Sequence, residues 1–243
     1  MNEDIFLPEW IDHNLNVLGF KNICLINVGT PISINITSKY DLAYMISNHS
    51  DQNFNLCRTC FNKTIRNNDL LFVQDVDQYL NVQNNDYIYK NYDQYDGFYF
   101  SDLRFGYIKE KTEEFSLLST NVYRRPSDGL NEYDSTGLRQ LFNCSVRGGW
   151  NACDHGSGKT MIKYGVIQNL GVHYHETIKK TNKFLHVDMK QIRLNHYYVR
   201  SKEDGILKGN KWRKLESMLG IIDKNKFFTM IYDDSILRSK RLI

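Results

Sequence analysis

Apolar and polar positions alternate in a regular way over the opening stretch of the chain and lose that order later. Leu7, Ile11, Leu15 and Leu18 recur at helical spacing, with Pro8 suited to a first turn and Gly19 to a C-terminal stop, which predicts a helix. Ile23-Cys24-Leu25-Ile26 is a short apolar run ending in Asn27-Val28-Gly29-Thr30-Pro31, the pattern of a strand that runs into a loop. Ser38, with Asp41 three residues on, has capping-box spacing and predicts a second helix carrying Leu42, Met45 and Ile46. Residues 54–57 read as another strand, followed by a short helix and then the apolar run Leu70-Leu71-Phe72-Val73. Helix and strand alternating through residues 5–77 predict a layered α/β sheet with parallel strands. In such sheets ligands gather at the C-terminal ends of strands, where Asn27 and Asp75-Val76-Asp77 both fall.

Past residue 80 the periodicity loosens. Residues 97–100 and 161–164 read as strands, residues 191–199 as another, and Ser201-Lys202-Glu203-Asp204 has capping-box spacing for a later helix. Residues 124–158 are rich in Gly, Ser, Asp and Arg with little periodicity, and a long irregular stretch of this kind is usually functional or mobile. There is no internal repeat and no linker, so residues 1–243 read as one domain with a basic, frayed tail over about 223–243.

Composition narrows the picture. With 243 residues the chain is long enough to bury a large core. A net charge of +3 gives no polyelectrolyte field that would point to nucleic acid. No apolar run approaches the roughly 18 residues of a membrane span and no secretory segment opens the chain, so a cytoplasmic protein is expected. The five cysteines form no disulfide framework and read as thiols, and Cys57-x-x-Cys60 lacks the partners that would complete a zinc site.

The chemistry centres on Asp75 and Asp77. Two acids at the mouth of a buried strand need a compensating charge, and a hard divalent cation, Mg2+ or Mn2+, is the obvious one. A solvated turn at the strand end is the plainer alternative. Gly156-Ser157-Gly158-Lys159-Thr160 has the look of a phosphate loop but carries Cys153 where the motif needs a glycine, so it reads as a flexible turn whose Lys159 meets a phosphate at most. His173-Tyr174-His175 and His196 lie on expected strands, where a hydrogen-bonded core histidine is the commoner outcome.

Three ordered blocks add a resemblance. Asn2-Glu3 with Leu7-Pro8-Glu9-Trp10-Ile11, then Phe72-Val73-Gln74-Asp75-Val76-Asp77-Gln78-Tyr79-Leu80, then Leu194-Asn195-His196-Tyr197-Tyr198 with Ser201-Lys202 resemble glycosyltransferases of family 92 and the related family 2 enzymes. The resemblance implies a GT-A fold, a mixed and mostly parallel sheet sandwiched by helices. It also implies transfer of a sugar from a nucleotide-sugar, UDP-linked by preference, to a glycan or glycoconjugate acceptor with inversion. In that setting Asp75, Asp77 and His196 would hold Mn2+ or Mg2+ against the donor diphosphate, and Asn27 and Thr30 would lie beside the nucleotide. A carboxylate must take the proton from the acceptor hydroxyl. Asp154, beside Trp150, is the choice, with Asp102 and Glu176 as rivals. The chain departs from the pattern in lacking the strand that usually precedes Asn2-Glu3, in having Gln78 and Tyr79 where Glu and Phe are usual, and in reducing a Gly/Ser-rich block to Arg104-Phe105-Gly106-Tyr107. A degenerate nucleotide- or carbohydrate-binding module is therefore the second expectation.

Overall fold

The computed structural model describes residues 6–28, 39–40, 42–47, 59–61, 64–106, 116–120, 123–124, 146–147, 150–151, 158–170, 175–179, 181–197 and 231–242. The opening helix α1, Leu7–Asp12, has Pro8 in its first turn and buries Leu7, Trp10 and Ile11. It continues into a π-helical turn, His13–Val17, and ends at Gly19 with φ +83°, a conformation that glycine adopts without a steric penalty. Strand β1, Cys24–Val28, then pairs in parallel with β2, Ala43–Ser47. This replaces the expected helix over Leu42, Met45 and Ile46. The local capping signal loses to a ladder that β1 offers along five register pairs, Cys24↔Ala43 to Val28↔Ser47.

The strands after residue 69 build two larger sheets. They are β3, Leu70–Phe72, β4, Gln78–Val82, β5, Gly97–Phe100, β6, Asp102–Gly106, and β7, Tyr123–Arg124. Two short strands, β8, Val146–Arg147, and β9, Trp150–Asn151, pair with each other. Then come β10, Lys159–Lys163, β11, Ile167–Asn169, β12, Glu176–Thr177, β13, Phe184–His186, β14, Ile192–His196, and β15, Ile231–Tyr232. One sheet of four runs β13-β5-β10-β3 and one of five runs β15-β7-β6-β14-β4. Among the described residues the chain passes between them from β3 to β4 through residues 73–77, from β4 to β5 through residues 83–96, from β5 to β6 through Ser101 and from β13 to β14 through residues 187–191.

The mixed α/β class holds, but "mostly parallel and sandwiched by helices" does not describe these residues. Only β1–β2, β13–β5 and β14–β6 are parallel among the described ladders, and the other pairings are antiparallel. The described helices are short; besides α1 they include α2, Asp86–Asn91, and α3, Leu117–Thr120. Sequential strands such as β3 and β4 enter different sheets, so the alternation that predicted parallel βαβ units does not apply beyond β2.

Both faces of β4 are covered. Tyr79 packs with Trp10, Leu103, Phe105 and Tyr197, whereas Leu80 and Val82 pack with Phe98, Phe100, Met161 and Leu194. Period-two alternation in a strand buried on both sides makes every residue count, and all of β4 is buried. The C-terminal segment is docked, not frayed as expected. Lys240 N donates to Val82 O (2.8 Å), Leu242 N to Leu18 O (2.9 Å), and Ile236 and Leu242 are buried. Beneath it, Arg193 on β14 pairs with Asp233 at 2.5 Å, both side chains nearly inaccessible. The thiol reading is corrected for one pair: Cys24 of β1 and Cys60 of the helical turn at 59–61 are joined by a disulfide, with Cα atoms 6.1 Å apart.

Gly158 leads into β10 with φ +52°, and a Cβ there would lie 2.5 Å from the Phe100 carbonyl oxygen and against the Tyr99 ring. Gly158→Ala is expected to destabilise the protein by about 2 kcal/mol or more, because backbone strain and a clash with main chain act together. Chemical denaturation measures this, and a loss below about 0.5 kcal/mol would contradict the packing described.

Candidate functional site

The crossover between β3 and β4 is a closed turn. Gln78 N donates to Asp75 O (3.0 Å), and Asp75 N donates to the Gln78 side-chain oxygen (3.1 Å). Gln78 is buried, and an amide satisfies this turn without placing a further negative charge beside Asp75 and Asp77. The helix-and-π-turn segment clamps the same stretch from outside. Trp10 Nε1 donates to Gln78 O (3.1 Å), His13 Nε2 bonds Leu80 O (2.8 Å), and Gln74 Nε2 donates to Asn14 Oδ1 (2.9 Å). With a carbonyl as partner, Nε2 of His13 must be the donor. Burial lowers the His13 pKa against the opposing pull of that carbonyl and of Asp12, so this ring is neutral scaffolding. The Leu-Pro-Glu-Trp block thus has structural duties: Glu9 accepts hydrogen bonds from Ser116 Oγ and from Leu117 N (2.8 Å), which caps α3.

Asp77 meets His196 because of strand register. β14 runs antiparallel to β4 with His196 opposite Gln78, and Tyr197 N donates to Asp77 O (2.8 Å). This places His196 Nε2 3.5 Å from Asp77 Oδ1, within ion-pair range. On its other side Nδ1 lies 2.9 Å from Oδ2 of Asp102, at the start of β6. Burial by itself would lower the His196 pKa; the hydrogen bond to Asp102, the contact with Asp77 and the charge of both carboxylates outweigh it and raise the pKa to about 9. The imidazole is therefore an imidazolium near neutral pH. Asp102, offered by the sequence as a rival base, lies behind this ring with its side chain only 2% exposed, a position suited to orienting His196 and not to reaching an acceptor.

Asp75 meets a residue that sequence reasoning set aside. Lys159 opens β10, and its Nζ lies 3.0 Å from Asp75 Oδ2; the lysine side chain is wholly buried while the Asp75 side chain is 46% exposed. The segment read as a flexible turn thus becomes, at Lys159 and Thr160, the start of a buried strand. Its ladders fix the placement: Lys159 is opposite Phe100 of β5 and Met161 opposite Phe72 of β3, so the lysine lies just past the end of β3, where Asp75 follows. Local sequence offered little warning, since a lysine before Met161-Ile162 looks like an ordinary strand flank.

Asn27 stands near the end of β1 and donates to Tyr44 Oη (3.3 Å), and Tyr44 packs on the same core as Val76 between the two acids. Glu176 is on the separate β11–β12 ladder, exposed and bonded by Asn169 Nδ2 (2.6 Å). Thr30 and Asp154, together with the expected strand at 54–57 and the helix from Ser201, lie outside the described residues.

The donor set can be tested against a divalent cation. Among the described residues no group of three or more His, Cys, Asp or Glu side chains is arranged as metal ligands. Mg2+ and Mn2+ sites that keep waters and substrate phosphates need only one or two protein carboxylates. Asp77 supplies a carboxylate oxygen, and His196 directs Nε2 to the same place while Asp102 holds Nδ1, the arrangement that orients metal-binding histidines. Asp77 fits such an ion on donor chemistry, whereas His196, an imidazolium near neutral pH, joins it only by giving up the Nε2 proton. No protein-family model matches the chain, and no curated protein matches it. Among the described residues no helix is long and apolar enough to cross a membrane.

The raised pKa of His196 carries a sign. Folding holds its proton more tightly than the unfolded chain does, so the stabilisation is complete below about pH 6.5 and fades as pH climbs through about 9. Asp102→Asn should flatten that slope, removing on the order of 2 kcal/mol of stability at pH 6 and much less at pH 9.5. Urea titrations of both proteins at the two pH values provide the check; parallel pH profiles would contradict it.

Proposed function

We propose that the chain transfers a glycosyl group from a nucleotide-sugar, UDP-linked by preference, to a hydroxyl of a glycan or glycoconjugate, on a GT-A-like scaffold. The observation that carries the reading is the register that puts His196, from the third sequence block, against Asp77, from the second. Blocks that resemble a family only in order along the chain meet here at one point of the fold. The bound cation, Mn2+ or Mg2+, would supply Lewis-acid neutralisation of the departing nucleoside diphosphate.

The residues of the chain then divide the work. Asp77 and His196 would hold the cation, and Asp102 keeps the imidazole turned so that Nε2 faces Asp77. The closed turn from Asp75 to Gln78 fixes the backbone that carries the two acids before any ligand arrives, which lowers the ordering entropy that opposes binding. Asn27 and Thr30, at and after the end of β1, belong to the nucleotide side in this reading. Asp154 is proposed as the base that takes the acceptor proton, as inverting transfer requires.

A second reading, a binding module without turnover, is favoured by the ion pair between Asp75 and Lys159, which already compensates one of the two acids. The two readings part on product formation. UDP is expected to bind wild type with Mn2+ present, and Asp77→Asn should weaken that binding by tenfold or more, about 1.4 kcal/mol. Calorimetric titration with and without Mn2+ gives the affinities, and UDP-sugar turnover with a glycan panel separates enzyme from module. Equal affinity in wild type and Asp77→Asn would remove the reading altogether.

A further inference from the structure

Ser101 is the whole connection between β5, which ends at Phe100, and β6, which begins at Asp102. One residue therefore turns the chain out of the four-stranded sheet and into the five-stranded one. Its two soft dihedrals decide where the next Cα goes, and with it the carboxylate of Asp102. Such a joint keeps one position only if contacts fix it, and Ser101 is held from both sheets. Its carbonyl oxygen accepts from Leu194 N of β14 (3.1 Å), and its Oγ lies 2.8 Å from Nε2 of His186, the last residue of β13. A hydroxyl can donate or accept, so this bond persists whether or not Nε2 carries a proton. The His186 ring is in turn braced edge-on by Tyr99, with centroids 5.2 Å apart.

A serine hydroxyl against an imidazole has the form of a nucleophile and its base. Ser101 is only 3% exposed, however, too little to meet a substrate. We propose instead that Ser101 is a positioning residue for the cation site, acting through Asp102 on His196 and itself set by His186. The consequence for the cation rests on the function proposed above, whereas the relay of contacts stands without it. Neither Ser101 nor His186 belongs to any of the three sequence blocks. Asp102 Oδ2 lies 2.9 Å from His196 Nδ1, and a hydrogen bond weakens steeply once its donor and acceptor swing out of line. With the His186 bond gone, the Ser101 joint relaxes and Asp102 moves with it. The imidazole that Asp102 holds then turns, and Nε2 loses its aim at Asp77, 3.5 Å away. One end of this relay, His186, is exposed, while the Asp102 end is buried.

Three variants test this: Ser101→Ala, His186→Phe, which keeps a ring against Tyr99 but deletes the hydrogen bond, and His186→Gln, whose amide can restore one. Circular dichroism with a thermal melt verifies folding, and the variants at the exposed His186 carry the test if Ser101→Ala does not fold. The first readout needs no ligand. The His196 Nδ1 proton, seen by NMR as a downfield resonance because it is bonded to Asp102, should shift in Ser101→Ala and His186→Phe and return toward its wild-type position in His186→Gln. The second readout is the affinity for UDP with Mn2+ present, measured by calorimetry. Removing the partner that orients a metal-binding histidine costs about tenfold to a hundredfold; Ser101 acts one step further back, so a loss of about threefold to tenfold is expected in the same two variants. Ser101→Ala combined with His186→Phe should lose no more than either alone, and Ser101→Ala should add nothing to Asp102→Asn, because all act along one line. An unmoved His196 resonance with unchanged Mn2+-UDP affinity in both variants overturns the role of Ser101 and leaves the proposed function standing. A loss in Ser101→Ala that persists in full on top of Asp102→Asn overturns the route through Asp102. Wild type that binds no UDP with Mn2+ overturns the proposed function, and the His196 resonance then decides the relay alone: a shift upholds it and no shift overturns it.

Discussion

A carboxylate taken partly out of water must find a positive charge, and the corner between the two large sheets is organised by that requirement. Asp75 and Asp77 are separated by one residue, and each is compensated from a different sheet: Asp75 by Lys159 of the four-stranded sheet, Asp77 by His196 of the five-stranded one. Asp102 extends the pattern by a second carboxylate behind the imidazole. The sequence raised the question of what neutralises two acids at a strand mouth, and a metal ion was the expected answer. The fold offers two protein cations at the same positions, one buried and fixed, the other a histidine that can exchange its proton for a ligand.

Around this corner the scaffold works through polar contacts with backbone. Trp10 and His13 both bond carbonyls of the β4 segment, and Asn14 holds Gln74, so the opening helix sets the height of the turn relative to the strand that follows it. The π-helical turn places His13 and Asn14 on the face already occupied by Trp10, and both are buried. Burial of polar groups on that scale is affordable only because each has a partner, which ties the position of α1 to that of the site.

Much of this was legible in sequence where signals were local. The first helix, with Pro8 at its start and Gly19 at its end, and the strands at β1, β5, β10 and β14 follow from short-range periodicity and turn chemistry. The resemblance groups Asp75, Asp77 and His196, and the structure brings Asp77 and His196 into contact. What stayed hidden depends on pairing between distant strands. The segment at Ala43–Ser47 has a helix-start signal before it, yet β1 captures it as a strand. Lys159 looked like part of a turn because nothing near it in sequence reveals that β10 is central in its sheet. Asp102 looked like a base because its burial behind His196 arises from the β6–β14 register. The basic C-terminal segment looked frayed because its partners, Val82 and Leu18, are far away in the chain.

The crossover that carries the acids has a mechanical consequence. Residues 73–77 join β3 of one sheet to β4 of the other, so the acids sit on a connection between the sheets and not within either ladder. Any change in the angle between the sheets alters the gap between the ammonium that faces Asp75 and the imidazole that faces Asp77. The two protein cations belong to different sheets, and a ligand that touches both ties those sheets together at the corner.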